Sequence, residues 1–157
     1  MSAGAPRLVV VGGGILGTMH AVEGVRRGYE VLQVDRDAEP RGASVRNFGL
    51  VWVGGRAPGA ELAVALRGRE RWEEIARLAP GTGFRPVGSL TVARTAAELA
   101  VLEEVVARPD APERGLELLT AEEARSAAPS LGGELVAALR CERDAVVEPR
   151  AALGALR

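Results

Sequence analysis

A Val-rich apolar run ending in three glycines, a helical period directly after them, and a second short apolar run closed by Asp35 predict an α/β fold. Its N-terminal part is expected to be a Rossmann-type βαβ unit. Leu8 to Val11 lie between Pro6 and Gly12, and a continuous apolar strand of this kind is expected to be buried on both faces. From Ile15 to Arg27 the period is helical, with Gly28 at the stop position. Glu30 to Val34 reads as the second strand.

Further along, Asp37 to Ser44 is polar with Pro40 and Gly42 and reads as a surface loop, and Asn47 to Val53 reads as extended. The longest helical pattern runs from Gly59 to Leu78, with Leu62, Leu66, Trp72, Ile75 and Leu78 as its apolar stripe. Val87 to Ala93 is a predicted strand. Thr95 with Glu98, and Thr120 with Glu123, have capping-box spacing, opening one helix to about Ala107 and a shorter one closed by Pro129. Arg108 to Gly115 reads as a loop, Leu135 to Leu139 and Val146–Val147 as strands, and Pro149 as the first residue of a last helix whose end the pattern does not show.

The chemistry sits in Gly12-Gly13-Gly14-Ile15-Leu16-Gly17, which satisfies G-x-G-x-x-G. Gly12 permits a tight turn out of the strand, Gly14 lets the backbone approach a pyrophosphate, and Gly17 lets helix and strand pack closely. The start of the helix then offers free N–H groups and the positive end of its dipole to phosphates. The hexapeptide alone is a weak signal. Here it follows a strand, opens a helix and is followed by Asp35, whose carboxylate suits ribose hydroxyls and disfavours a 2′-phosphate.

Composition narrows the partners. The 157 residues suffice for one domain with a core, and 47% apolar with 26% charged residues is the globular average. A net charge of −1, with no basic stripe among aromatics, argues against nucleic acid. No apolar run approaches the length of a membrane span and the N-terminus lacks a signal-peptide layout, so a cytoplasmic, soluble protein without a membrane partner is expected. The single Cys141 and single His20 supply no metal site, and none is expected.

After Asp35 the sequence departs from a plain NAD-binding half, which would continue with a helix and a third parallel strand. The glycine loop with Asp35 and Arg36, followed by Ala43, Ser44, Arg46, Asn47 and Gly49, resembles the FAD-dependent oxidoreductases of the D-amino-acid oxidase, glycine oxidase and sarcosine oxidase group. The stretches RNFGLVWVGGR, ALRGRERWEEIARL, GSLTVAR and ERDAVVEPRAALGAL resemble in particular the branch associated with phosphonate catabolism.

The resemblance implies FAD as cofactor and oxidation of the C–N bond of a small amine or amino acid, with an aminophosphonate as the sharper form. Gly12, Gly13, Gly14, Ile15, Leu16, Gly17, Asp35 and Arg36 fall in the ADP half of the cofactor site, and Ala43, Ser44, Arg46, Asn47 and Gly49 in the flavin half. It also implies an FAD-binding part over residues 1–86, part of an α+β substrate domain over 87–148, and the start of a helix returning to the FAD domain over 149–157, in a C-terminally truncated chain. Catalytic residues and oligomeric state stay unassigned. Two alternatives stand beside this reading: an inactive nucleotide-binding remnant, and an NAD-dependent dehydrogenase.

Among the remaining residues, His20 reads as a packing or partly exposed residue, Trp72 as core and Cys141 as a plain thiol, while Trp52 is unassigned. By family position Arg46 places positive charge near the flavin pyrimidine, and the alternative is a surface loop arginine.

Overall fold

In the computed structural model, which describes residues 4–157, strands β1 (Arg7–Val11) and β2 (Glu30–Val34) run parallel in register from Arg7↔Glu30 to Val11↔Val34, joined by helix α1 (Ile15–Arg26). The packing of α1 on the strands depends on glycine. A Cβ on Gly24 would lie 2.6 Å from the Leu8 Cδ2 atom and 3.0 Å from the Val31 Cγ2 atom. Arg27 caps α1, and Gly28 takes φ +81° where the sequence places the stop.

The expectation that β1 is buried on both faces is corrected. Val10 is buried, but Val9 and Val11 are 60% and 83% exposed. The physical reason is that β1 pairs only with β2 among the described residues, and α1 covers one face of that two-stranded sheet.

The chain divides into two compact units. The first comprises the described part of Met1–Gly49, with Glu73–Phe84 and Val147–Arg157. In it, helix α6 (Pro149–Ala155) packs against the 3₁₀ turn Pro80–Thr82, with Ala152 and Leu153 buried and the Glu148 N–H donating to the Thr82 carbonyl at 3.1 Å.

The second unit comprises Leu50–Trp72 and Arg85–Val146. Its sheet has the order β4 (Ser89–Ala93), β6 (Ala137–Cys141), β5 (Leu116–Thr120), with β6 antiparallel to both neighbours. Successive β6 residues face opposite sides. Leu139 clusters with Ala93 and with Leu102 of helix α3 (Ala96–Val106); Ala138 clusters with Leu119 and with Ala124 of helix α5 (Ala121–Ala127). Both faces are therefore covered, and Ala137, Ala138 and Leu139 are all buried. A second ladder pairs β3 (Leu50–Val51) with β7 (Ala145–Val146).

Both capping boxes form: the Thr95 and Thr120 side chains accept from the N–H groups of Glu98 and Glu123, whose carboxylates accept in return. Helix α2 (Ala60–Leu78) lies where its period predicts, yet Trp72 is only half-buried and Leu78 is 86% exposed, so the apolar stripe ends at Ile75. The last strand pair shifts as well: β6 begins two residues after Leu135, and β7 takes Ala145–Val146 in place of Val146–Val147. Strand β5 and the helical turn α4 (Ala111–Arg114) fall where the sequence suggested no element or a loop. Leu116–Thr120 carries only a weak alternation, and pairing with β6 decides its conformation.

Candidate dinucleotide site

The glycine loop joins β1 to α1 as a turn with Gly12 at φ +119°, and the Gly12 N–H donates to the Val34 carbonyl at 2.7 Å. Close packing at Gly17 is absolute, since a Cβ there would lie 2.0 Å from the Gly12 carbonyl oxygen. Behind the turn, the Gln33 amide donates to the Gly12 carbonyl at 2.8 Å and to Thr18 Oγ1 at 3.3 Å.

Asp35 closes the turn from the β2 side. Its Oδ2 accepts from the Gly13 N–H at 2.5 Å and its Oδ1 from the Asp37 N–H at 2.8 Å. These two donors, Asp37 first, hold the carboxyl below the usual aspartate range, with Arg36 and Arg157 adding weaker attraction. The group is thus a charged, exposed acceptor at the end of β2.

Ser44 lies in the 3₁₀ turn Ala43–Val45, and its Oγ accepts from the Ile15 N–H at 3.0 Å. A Cβ on Gly14 would lie 3.0 Å from that oxygen, so glycine lets this turn sit against the start of α1. The N–H groups of Gly14 and Leu16 have no acceptor among the described residues. They are the unpaired donors a helix start presents to an anion. A groove of about 180 Å³ is lined by Gly13, Gly14, Asp35, Asp37, Gly42 and Ser44, and a larger cavity of about 670 Å³ opens beside Gly13, Gln33 and Asp35.

Asn47 uses its side chain locally: Nδ2 donates to the Ala43 carbonyl at 2.9 Å and Oδ1 accepts from the Gly49 N–H at 2.7 Å. Gly49, at φ +68°, takes a position where a Cβ would lie 1.9 Å from the Val147 carbonyl oxygen. Arg36 is exposed and pairs with Asp37 at 3.4 Å, and Arg46 is exposed beyond the 3₁₀ turn. The structure thus brings Gly13, Gly14, Asp35, Arg36 and Ser44 to one groove; Gly12 and Gly17 shape the turn behind it, Ile15 and Leu16 lie outside its lining, and Asn47 and Gly49 shape the backbone that follows.

Sequence reasoning missed Arg157, whose Nη2 donates to the Gly13 carbonyl at 3.0 Å. A separation of 144 residues leaves no local signal for that contact. His20, exposed, turns its ring nitrogen to the Leu16 carbonyl at 2.7 Å and takes no part in the groove. Among the described residues no group of three His, Cys, Asp or Glu side chains is placed to hold a metal ion. None of their helices is long and apolar enough to cross a membrane.

The family described as FAD dependent oxidoreductase matches residues 7–157. The chain belongs to that family. An NAD-dependent dehydrogenase, the enzyme alternative raised by the sequence, is thereby set aside. No curated protein matches in sequence. Among solved structures, glycine oxidase from Bacillus cereus ATCC 14579 superposes with a TM-score of 0.83 at 20% identity, over 97% of this chain and 42% of its own. Iminodiacetate oxidase from Chelativorans sp. BNC1 gives 0.75 at 26% identity, over 94% and 42%. L-α-glycerophosphate oxidase from Mycoplasma pneumoniae, solved with FAD bound, gives 0.77 at 25% identity, over 96% and 41%. The chain therefore spans about two-fifths of the length of these proteins.

The residues present fit the ADP part of the family's cofactor. A side chain at Gly14 would crowd the Ser44 hydroxyl, two helix-start donors are unpaired, and a charged carboxylate stands at the end of β2.

Proposed function

We propose that this chain holds the ADP part of FAD in an oxidoreductase acting on the C–N bond of a small amine or amino acid. The carrying observation is a groove lined by Asp35, Gly14 and Ser44 at a helix start where the N–H groups of Gly14 and Leu16 are unpaired. In this reading Gly14 and Leu16 donate to the pyrophosphate and Asp35 accepts from the adenosine ribose. Ser44, already accepting from Ile15, fixes the turn that bounds the groove. Asn47, bonded to the Ala43 carbonyl and the Gly49 N–H, holds the backbone of the segment that the family resemblance assigns to the flavin half of the site.

When bound, FAD supplies the two-electron acceptor that such an oxidation requires. The protein's share lies in binding and orientation, and in excluding a second phosphate at the ribose through the Asp35 charge. The domain roles follow the same reading: residues 1–86 contribute to the cofactor-binding part, 87–148 to the substrate part, and 149–157 begin a helix returning to the former. Iminodiacetate oxidase, among the similar structures, bears a name that fits an amine substrate. The sharper form, an aminophosphonate, rests on the motif resemblance of RNFGLVWVGGR and ERDAVVEPRAALGAL.

Calorimetric titration with ADP and with FAD tests the binding step. Wild-type chain is expected to take up ADP, with Asp35→Ala weakening it at least about tenfold, the loss of one hydrogen bond to a charged group. Equal ADP affinity in the two proteins would remove Asp35 from the site. Anaerobic flavin bleaching by a panel of small amines, amino acids and aminophosphonates, run on the product of the complete reading frame, tests the substrate class.

A further inference from the structure

We propose that the cavity of about 310 Å³ between the 41–46 segment and α6 binds a small tetrahedral oxyanion, a phosphate or phosphonate group, at a site separate from the dinucleotide groove. Arg41, Arg46, Arg150 and Arg157 line it, against the single carboxylate of Glu39. Arg41, Arg46 and Arg150 have no ion pair and no side-chain hydrogen bond among the described residues, and Arg157 commits only its Nη2 donor, to the Gly13 carbonyl. Four arginines and one acid in the lining leave the cavity with uncompensated positive charge. Such a cluster is self-repulsive until an anion joins it, and planar guanidinium forks match the oxygens of phosphate and phosphonate.

The helical side of the cavity supports the same conclusion. Arg150 and Gly154 are four residues apart on α6 and share one of its faces, and Arg157, just past the end of α6, lines the same cavity. Gly154 leaves the middle of that face open: a Cβ there would meet nothing within 4 Å. Glycine is disfavoured in a helix relative to alanine, and here no close packing demands it. The open Gly154 position and the two arginines thus line the same cavity. None of Gly12–Gly17 and not Asp35 lines this cavity; it shares the Glu39–Arg41 rim with the groove and Arg157 with the larger cavity beside Gly13 and Asp35. The inference therefore stands without flavin binding.

The test is calorimetric titration of the 157-residue chain with inorganic phosphate at constant ionic strength, repeated in the presence of saturating ADP. Saturable phosphate binding that persists with ADP bound is expected. Arg46→Gln and Arg150→Gln, both at exposed positions that leave the core untouched, should each weaken it about tenfold. Gly154→Leu, which fills the cavity without changing charge, should abolish it while ADP still binds. Absence of saturable phosphate binding, unchanged affinity in these three variants, or displacement of phosphate by ADP would overturn the proposal; displacement would assign the arginines to the dinucleotide instead.

Discussion

At Asp35 two backbone donors face one carboxylate, and the consequence is a charge that persists into acid. The carboxyl is held below its ordinary range by the Asp37 and Gly13 N–H groups. A depressed folded-state pKa contributes stability that is complete above the unfolded value, about 3.9, and is lost as the pH falls through the folded one. The difference in melting temperature between wild type and Asp35→Asn should therefore be constant from pH 8 to pH 5 and shrink only below pH 4. A difference that vanished between pH 7 and 6 would refute this. Cys141 is the opposite case. Burial, helped by the nearby Asp144 charge, pushes its thiol up to about 11, and its Sγ lies 3.2 Å from the Arg114 carbonyl. Because the thiolate is the reactive form, a disulfide reagent at pH 8 should label Cys141 only as fast as the protein opens. Labelling at the rate of a free thiol would contradict the buried position. At Gly17, adding one methyl group forces a backbone carbonyl aside, and Gly17→Ala should lower unfolding stability by about 1–3 kcal/mol together with ADP affinity.

At the level of elements, local chemistry and tertiary pairing divide the work unevenly. The capping boxes of α3 and α5 close on residues three apart, so they form wherever the helix forms. Thr95→Ala should cost about 1 kcal/mol in denaturant unfolding, with little change in nucleotide binding. The turn after β3 is held by long-range contacts. Buried Asp144 Oδ1 accepts from the Val53 N–H at 2.6 Å and the Gly54 N–H at 2.9 Å, while its Oδ2 accepts from the Ser89 hydroxyl at 2.6 Å. On the other side buried Arg114, itself paired with Asp110, donates to the Val53 and Gly54 carbonyls at 3.0 and 2.9 Å. Both the donors and the acceptors of one dipeptide are thus satisfied by side chains some 60 and 90 residues away. Asp144→Ala strands those donors, and a loss of about 1–3 kcal/mol for each is expected. A chemical-denaturation midpoint unchanged from wild type would show that the clamp is not needed.

Over the whole molecule, each unit sets its own share of these properties. In the first unit, the glycine loop, Asp35 and Ser44 are brought together within a βαβ arrangement that the order of the chain itself encodes. In the second, β6 is covered by α3 on one face and α5 on the other, and its stability rests on those two clusters.

The sequence by itself determined what short-range rules control: the glycine turn, α1 and its stop at Gly28, the two capping boxes, and Asp35 at the end of β2. Each depends on residues within a turn of one another, or on one strand and its neighbour, where backbone sterics leave few choices. Tertiary structure alone decided the rest. Leu116–Thr120 became a strand because β6 offered an unpaired edge, and β6 itself began two residues later than its apolar run. Asp144, an ordinary acid in the sequence, became a buried clamp because β4 and the Val53–Gly54 turn reached it, and Arg157 met Gly13 from the far end of the chain. These contacts depend on which surfaces remain to be covered once the elements have formed, and no window of sequence contains that information.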